Sequence, residues 1–346
     1  DDDDWDDNVD DAWEMEHPLH SGDYAYALLD DGTVEITSYG GADTEIVIPD
    51  TLDGKPVTAI GERAFYYSLS LTSVTIPDSV THISQKAFSC CFQLTSITLP
   101  SGLTAIESGT FDLCKSLTTI DIPDSVAAIA DDAFIGCKAL QSFTLSPNHP
   151  YFFLADDALC RTADSTLLLY PNAREPRTYR IPDGITAISA YAFYDCDLLE
   201  SVVVPDSVTQ LPARAFSGCS ALASVSLPDS LTEIGTAAFS GCSALTGIRI
   251  PAAITEIINH TFSGCTSLAT LEIPDSVTKT GDYAFFGCTS LTSIAIPDSV
   301  TAIGNGAFSN CTALTLTVTP DSYAAEYAQA NNIPYTYPDA NGWLNN

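Results

Sequence analysis

The same short alternation of apolar and polar residues repeats with a period of 23 residues through most of the chain. In one copy, Ile97 and Leu99 point to one side of a predicted short strand, whereas Ser96 and Thr98 point to the other. Pro100 ends this strand, because proline has no N–H to continue a ladder. The pattern therefore predicts coils whose strands stack in parallel, about 4.8 Å apart.

Each repeat also contains a phenylalanine, followed in nine of ten copies by a cysteine three residues later. This i, i+3 spacing predicts a short helical turn on which both side chains point inward. The phenylalanine occurs ten times in register, at Phe65, Phe88, Phe111, Phe134, Phe193, Phe216, Phe239, Phe262, Phe285 and Phe308. Ser68 stands at the third position after Phe65, and a cysteine stands there after the other nine, at Cys91, Cys114, Cys137, Cys196, Cys219, Cys242, Cys265, Cys288 and Cys311. Such self-similarity predicts a solenoid in which these side chains form buried ladders. Two cysteines, Cys90 and Cys160, lie outside the ladder, and Cys90 is predicted to be the more exposed thiol.

The pattern L-x-x-I-x-I-P-x-x-V-x-x-I-x-x-x-A-F-x-x-C resembles the BspA-like leucine-rich repeats, also called the treponemal type, over roughly residues 40–320. The resemblance implies an α/β repeat: a right-handed leucine-rich-repeat solenoid with a parallel concave β-sheet, an N-terminal β cap and a C-terminal helical cap. It also implies a non-catalytic module that is displayed on, or secreted from, microbial cells and that binds or adheres.

Four segments are predicted along the chain. Residues 1–20 form an acidic, flexible lead-in, residues 21–50 the N-terminal β cap, residues 51–320 the solenoid, and residues 321–346 the C-terminal cap and tail. Phe134 and Phe193 are further apart than two regular units, so one unit between them is longer than the others. A β-hairpin is predicted in this long unit, at about residues 148–180.

The net charge of −33, from 45 acidic and 12 basic residues, argues against a nucleic-acid partner and against binding to anionic membranes. It favours a monomer, because copies repel one another. No apolar run approaches the ~20 residues of a membrane span. No catalytic motif is present and the five histidines are scattered, so we expect neither an enzyme nor a cofactor or metal site.

An aspartate follows the strand-ending proline in most units, at Asp78, Asp124, Asp183, Asp206, Asp229, Asp275, Asp298 and Asp321. Two interpretations are open: stacked carboxylates that hold Ca²⁺ between coils, or residues that each close their own turn with a backbone hydrogen bond.

Small hydroxyls dominate the residues predicted to face out of the concave sheet: Ser73/Thr75, Ser96/Thr98, Thr119/Asp121, Ser142/Thr144, Thr178/Arg180, Ser201/Val203, Ser224/Ser226, Gly247/Arg249, Thr270/Glu272 and Ser293/Ala295. They can hydrogen-bond a peptide or glycan, or they can serve only as residues that suit a strand.

The long unit offers a second candidate site, because it combines arginines and aromatic rings on a predicted insertion: Arg161, Arg174, Arg177, Arg180, Tyr151, Phe152 and Tyr170. These are the residue types of binding hot spots. Arginine binds carboxylate or phosphate with two hydrogen bonds, so this site predicts an anionic ligand. Alternatively, the rings pack on the coil and the arginines offset local acidity.

The sequence therefore favours a cell-surface or secreted module for protein or glycan binding and adhesion, located outside the cell. The alternative is a passive spacer or stalk with no ligand of its own.

Overall fold

The computed structural model describes residues 18–338 and shows a solenoid of about 13 turns. All but the last three residues of the predicted acidic lead-in, and the tail after residue 338, lie outside the described residues.

One short strand from each coil contributes to the concave sheet. These strands are β4 (Glu45–Val47), β7 (Ser73–Thr75), β9 (Ser96–Thr98), β11 (Thr119–Asp121), β13 (Ser142–Thr144), β17 (Thr178–Arg180), β19 (Ser201–Val203), β21 (Ser224–Ser226), β23 (Gly247–Arg249), β25 (Thr270–Glu272), β27 (Ser293–Ala295) and β29 (Thr315–Thr317). Residues one period apart are paired in parallel, as Ser201 is with Ser224. Ile97 is buried between exposed Ser96 and Thr98, so the predicted inward and outward positions are confirmed there.

A second row of parallel strands runs along the other side of the coils, with two residues per strand. It consists of β8 (His82–Ile83), β10 (Ala105–Ile106), β12 (Ala128–Ile129), β18 (Ala187–Ile188), β20 (Gln210–Leu211), β22 (Glu233–Ile234), β24 (Glu256–Ile257), β26 (Lys279–Thr280) and β28 (Ala302–Ile303). In most of these strands the second residue is buried, so each coil contributes to the core from both rows.

The predicted phenylalanine ladder is confirmed. The ring of Phe239 stacks between those of Phe216 and Phe262, with centroid distances of 5.5 and 5.7 Å. These segments are hydrogen-bonded turns, and the Phe239 N–H donates to the Thr261 carbonyl of the next coil at 3.0 Å. The Cys242 thiol donates to the Phe216 carbonyl of the preceding coil at 3.2 Å. The two ladders therefore link each coil to both neighbours.

Tyrosines extend this aromatic ladder where the sequence pattern shows no phenylalanine. Tyr39 stacks on Phe65 with centroids 5.3 Å apart, and Tyr170 stacks on Phe193 with centroids 5.2 Å apart. Tyr170 lies one full period before Phe193, so the regular frame resumes at Tyr170. The additional residues of the long unit therefore lie between Phe134 and Tyr170.

The predicted hairpin of the long unit is a three-stranded antiparallel meander, formed by β14 (Phe152–Ala155), β15 (Ala158–Arg161) and β16 (Thr166–Leu169). Its third strand joins the second row, because β16 pairs in parallel with β18. The buried core is divided at this meander. Phe152, Leu159 and Leu168 belong to the N-terminal core, whereas Cys160 and Leu167 belong to the C-terminal core.

A buried histidine fixes the start of the meander. His149 Nδ1 accepts the N–H groups of Tyr151 and Phe152, at 3.3 and 3.2 Å. The opposite nitrogen, Nε2, lies 3.0 Å from the Pro123 carbonyl oxygen and can only donate to it. This histidine therefore has a structural function, because both ring nitrogens are bonded to backbone.

Both ends of the solenoid are covered. At the N-terminal end a sheet contains β1 (Leu19–Ser21), β2 (Tyr24–Leu28), β3 (Val34–Tyr39), β5 (Thr51–Leu52) and β6 (Lys55–Ile60). At the other end α1 (Tyr323–Ala330) begins after Ser322, whose hydroxyl accepts the Ala325 N–H. Strand β30 (Tyr335–Thr336) then pairs with β29. The predicted capped, right-handed leucine-rich-repeat solenoid is confirmed.

Candidate functional site

The outward side chains of the concave sheet leave a broad, shallow groove in its C-terminal half. The groove has a volume of about 890 Å³ and crosses the sheet from β21 to β29. Three of the residues that line it are small: Gly247 has no side chain, and Ala295 and Ala252 have only a methyl group. We call this the main groove.

Two charged residues lie side by side in the main groove. Arg249 on β23 and Glu272 on β25 are paired across the two strands. Arg249 Nη1 lies 2.6 Å from an oxygen of Asp229, in the preceding turn. Alanine replaces the aspartate in the turn that follows Arg249, at Ala252. The groove therefore presents hydroxyls, an arginine and a carboxylate to a ligand.

A smaller groove of about 570 Å³ continues from Arg249 towards Arg180 on β17. The two arginine side chains are 68% and 70% exposed. Arg180 lies 3.5 Å from Asp183. Ion pairs this exposed contribute little stability, so either guanidinium group can exchange its carboxylate partner for a ligand group.

Each arginine of the candidate cluster in the long unit already faces an acidic residue. The N···O distances are 2.8 Å for Arg161 with Asp164, 3.0 Å for Arg174 with Asp157, 3.0 Å for Arg177 with Glu175 and 3.5 Å for Arg180 with Asp183. The hydrogen bonds from Arg161 lower the pKa of Asp164 to about 2. The cluster is therefore locally neutralised.

Three residues of the candidate cluster are largely buried. Phe152 and Tyr170 lie in the core. The Arg174 side chain is only 11% exposed, and its guanidinium carbon lies 5.4 Å from the ring centre of Tyr179 and 5.8 Å from that of Tyr170. The exposed members are Tyr151, Arg161, Arg177 and Arg180. Ligand binding by these four stays a prediction.

The expectation that Arg174, Arg177 and Arg180 lie on an insertion is wrong. The regular frame resumes at Tyr170, so all three belong to a unit of the regular length. Arg180 is an outward residue of the concave sheet, on β17. Tyr151, Phe152 and Arg161 belong to the additional segment.

The sequence matches the family model of the BspA type Leucine rich repeat region, in six copies, over residues 44–154 and 182–315. The chain belongs to this family. The gap between the two matched ranges contains the last two strands of the meander and extends to the end of β17.

Three solved structures are among those similar to this chain. A leucine rich cell surface protein from Faecalibacterium prausnitzii is 31% identical, with 93% of this chain and 99% of that chain covered and a TM-score of 0.54. A leucine-rich repeat protein from Eubacterium ventriosum is 24% identical, covering 84% and 93%, with a TM-score of 0.63. The pneumococcal vaccine antigen PcpA is 16% identical, covering 94% and 99%, with a TM-score of 0.57. The last two show the fold alone. No curated protein gives a significant match.

In this BspA-type chain, two of the aspartates after the prolines, Asp78 and Asp124, bond to the turn of the next coil. Asp78 accepts hydrogen bonds from the N–H and the hydroxyl of Ser101, one coil further on, at 2.8 and 2.9 Å. These bonds lower the pKa of Asp78. Asp124 accepts a bond from the Ser146 hydroxyl at 2.6 Å. At these two positions the aspartate bonds to the next coil, which differs from the expectation that it closes its own turn. Within residues 18–338 no group of three or more His, Cys, Asp or Glu is arranged to hold a metal ion.

The cysteines of the ladder are buried, apart from half-buried Cys311 at its C-terminal end. The prediction that Cys90 is exposed is wrong, because its turn lies between the equivalent turns at Tyr67 and Leu113 in the neighbouring coils. Cys160 is buried too, since its side of the meander packs on the C-terminal core. Burial raises the pKa of Cys91 and of Cys265 to about 12.

We expect a thiol reagent to label native protein first at Cys311. Cys311 is the half-buried end of the ladder, its interaction with the neighbouring Cys288 thiol lowers the pKa of Cys311, and reactivity follows the exposed thiolate. Mass spectrometry of the labelled peptides would show Cys311 modified before the other cysteines. Equally fast labelling at Cys242 without unfolding would contradict the buried ladder.

No helix within residues 18–338 is long and apolar enough to cross a membrane.

Proposed function

We propose that this protein is a non-catalytic binding and adhesion module, displayed on the cell surface or secreted, whose main groove holds a protein or glycan ligand. The observation that carries the proposal is the main groove itself, an open surface of hydroxyls and small residues that also contains Arg249 and Glu272. Open, hydrogen-bonding surfaces of this breadth suit extended ligands better than small molecules, which prefer enclosed apolar pockets. The cell-surface description of the similar Faecalibacterium prausnitzii protein supports the location.

The chemistry of the side chains supports a module without catalysis or cofactor. His149 is bonded to backbone through both nitrogens, and the ladder thiols are bonded to carbonyl groups in the core, as Cys242 is. Nucleophile and base pairs of the usual catalytic kind are therefore not available from these groups. The net charge of −33 supports a monomer.

Arg180 and Arg249 give the ligand a preferred chemistry. They are the exposed cations at the two ends of the smaller groove, and a carboxylate or sulfate on the ligand could replace their weakly held aspartate partners. An anionic protein or glycan is therefore the favoured ligand, and its affinity should fall as salt rises.

A passive spacer or stalk is the second candidate function. The ion-paired arginines of the candidate cluster favour it, because a site built for an anion would keep its cations available. A spacer would show no specific ligand in any binding assay.

The test is a screen of immobilised glycans and host proteins with the parent chain, Ala295→Glu and Thr98→Glu. Ala295→Glu places a long acidic side chain in the main groove, whereas Thr98→Glu places the same side chain at the equivalent outward position of β9, far from the groove. We expect Ala295→Glu to weaken capture about tenfold or more, equivalent to at least ~1.4 kcal/mol.

Thr98→Glu should leave capture unchanged, and both variants should melt like the parent. A ligand that is captured equally by all three chains binds elsewhere, which would refute the groove assignment. The absence of any captured ligand would favour the spacer.

A further inference from the structure

A cluster of exposed rings lies on the flank of the first two coils, among residues that line neither groove. Tyr66, Tyr67 and Leu69 are 49%, 52% and 47% exposed, and Phe92 of the next coil is half-buried. The ring centre of Tyr67 lies 5.7 Å from that of Tyr66 and 5.5 Å from that of Phe92. We call these four residues the aromatic patch. Contiguous exposed apolar side chains of this kind mark interaction sites.

Two cations flank the aromatic patch. The Arg63 guanidinium carbon lies 6.0 Å from the ring centre of Tyr66, and Lys115 Nζ lies 4.7 Å from that of Phe92. Arg63 also faces Glu62 at 3.8 Å. Lys115 makes no ion pair within residues 18–338, although the chain has 45 acidic residues. This lysine therefore remains able to bind a carboxylate from a ligand.

The turn at Tyr67 places a large ring on the surface. The φ of Tyr67 is +62°, in the left-handed region, and the equivalent residues of the next two coils, Cys90 and Leu113, share this conformation with φ of +62° and +59°. Four equivalent turns in the C-terminal coils have glycine there, at Gly218, Gly241, Gly264 and Gly287. Tyr67 therefore adds an exposed ring at a position where those coils have no side chain.

These features select a ligand with aromatic and acidic side chains. The rings offer stacking partners, and Arg63 and Lys115 offer charge-assisted bonds to carboxylates. A nucleic acid would also offer rings, but the net charge of −33 repels its phosphates. An acidic peptide with aromatic residues satisfies both requirements.

The protein itself contains such a peptide. Residues 1–17 include eight aspartates, two glutamates, Trp5 and Trp13. We propose that the aromatic patch, with Arg63 and Lys115, binds residues 1–17 of the same chain. The inference does not depend on the function proposed for the main groove.

Residues 1–17 are long enough to span the distance from the start of β1 to the coil that carries the aromatic patch. Strand β1 begins at Leu19, and β6, in the coil of Tyr66, is three strands away in the same sheet. Three strand spacings are about 14 Å. A peptide of this length has a root-mean-square span of about 21–25 Å as a random coil, and it reaches about 56 Å when fully extended. The segment therefore reaches the patch without moving the fold.

Tryptophan fluorescence of the full chain tests the proposal. Trp343→Phe leaves Trp5 and Trp13 as the remaining tryptophans, since the chain has three. In this parent we expect blue-shifted emission that is shielded from acrylamide. Adding Tyr67→Ser or Lys115→Glu should shift the emission to the red and raise the quenching several-fold. Rising salt should weaken the contact too, because it screens the charge pairs.

Tyr283→Ser is the control, because Tyr283 is also an exposed ring at a residue with positive φ, in a C-terminal coil. It should leave the emission of the parent unchanged. Circular dichroism would establish that all variants fold, and Lys115→Glu keeps the test valid if Tyr67→Ser does not. Emission equal to that of the free peptide 1–17, or unaffected by both patch variants, would overturn the proposal. Emission that changes on dilution would overturn it as well, since the segment would then come from a second copy.

Discussion

Phe239→Ala is expected to lower the free energy of unfolding by about 3–5 kcal/mol, the usual cost of emptying a buried aromatic site. Phe239 is fully buried and stacks on Phe216 and Phe262 of the two neighbouring coils, with ring planes within 2° and 4° of parallel. Its removal opens a cavity at two inter-coil contacts at once. Because each coil is stabilised by its neighbours, the loss is not confined to one unit. Denaturant unfolding followed by circular dichroism measures the change.

Cys242→Ala is the matched control in the same coil. Its thiol is also buried and donates to the Phe216 carbonyl. It removes one small atom and one weak hydrogen bond, so the destabilisation should be about 1 kcal/mol. A larger loss for Cys242→Ala than for Phe239→Ala would contradict the conclusion that the ring ladder dominates the contact between coils.

Arg174→Ala is expected to destabilise the protein by about 2 kcal/mol, more than the same change at any other arginine of the candidate cluster. The Arg174 side chain is packed against Tyr170 and Tyr179, and its Nε lies 3.0 Å from Asp157 on the loop between β14 and β15. The substitution removes buried methylene groups and two cation–π contacts. Asp157 remains 55% exposed to water, so the loss of its partner adds little.

Arg177→Ala and Arg180→Ala provide the comparison. Both side chains are exposed and held only by surface ion pairs, so each change should stay within about 0.5 kcal/mol. Thermal melting of the three variants measures the order. Equal melting temperatures for all three would mean that Arg174 does not join the meander to the C-terminal core, and would return it to the set of candidate ligand-binding residues.

The strict period explains why so much of the concave sheet is predictable from the sequence. Once Ile97 is assigned inward, every residue one period away has the same environment, and strand alternation then places Ser96 and Thr98 outward. The exposure of Arg249 and Glu272 follows from the same rule. The main groove does not, because it depends on the small size of the residues at Gly247 and Ala295. The small residues at these outward positions are the feature of the sequence from which the groove could have been predicted.

The end of the long unit was less predictable, because the regular frame resumes there at a tyrosine that has no cysteine three residues later. Tyr170 has Ala173 at the cysteine position, so the pattern conceals that the frame has already resumed. The burial of Arg174 follows from this position, since it places the guanidinium group beside Tyr170. The burial of Cys90 depends on coverage by neighbouring turns, and the exposure of Tyr67 on a left-handed turn. Neither is encoded in the apolar period.

The division of the core at the meander has a consequence for how such a gene can change over generations. Near-identical repeats invite unequal recombination, which adds or deletes whole units, and a coil that contacts only its neighbours tolerates such a change. On either side of the meander, a gained or lost unit preserves the stacking of the rings. Recombination within the meander would instead remove His149 or Tyr170, and the N-terminal and C-terminal cores would then lack the segment that joins them. The number of coils can therefore change in each half while the chain keeps a single meander. The length of the solenoid can then vary without any change to the meander.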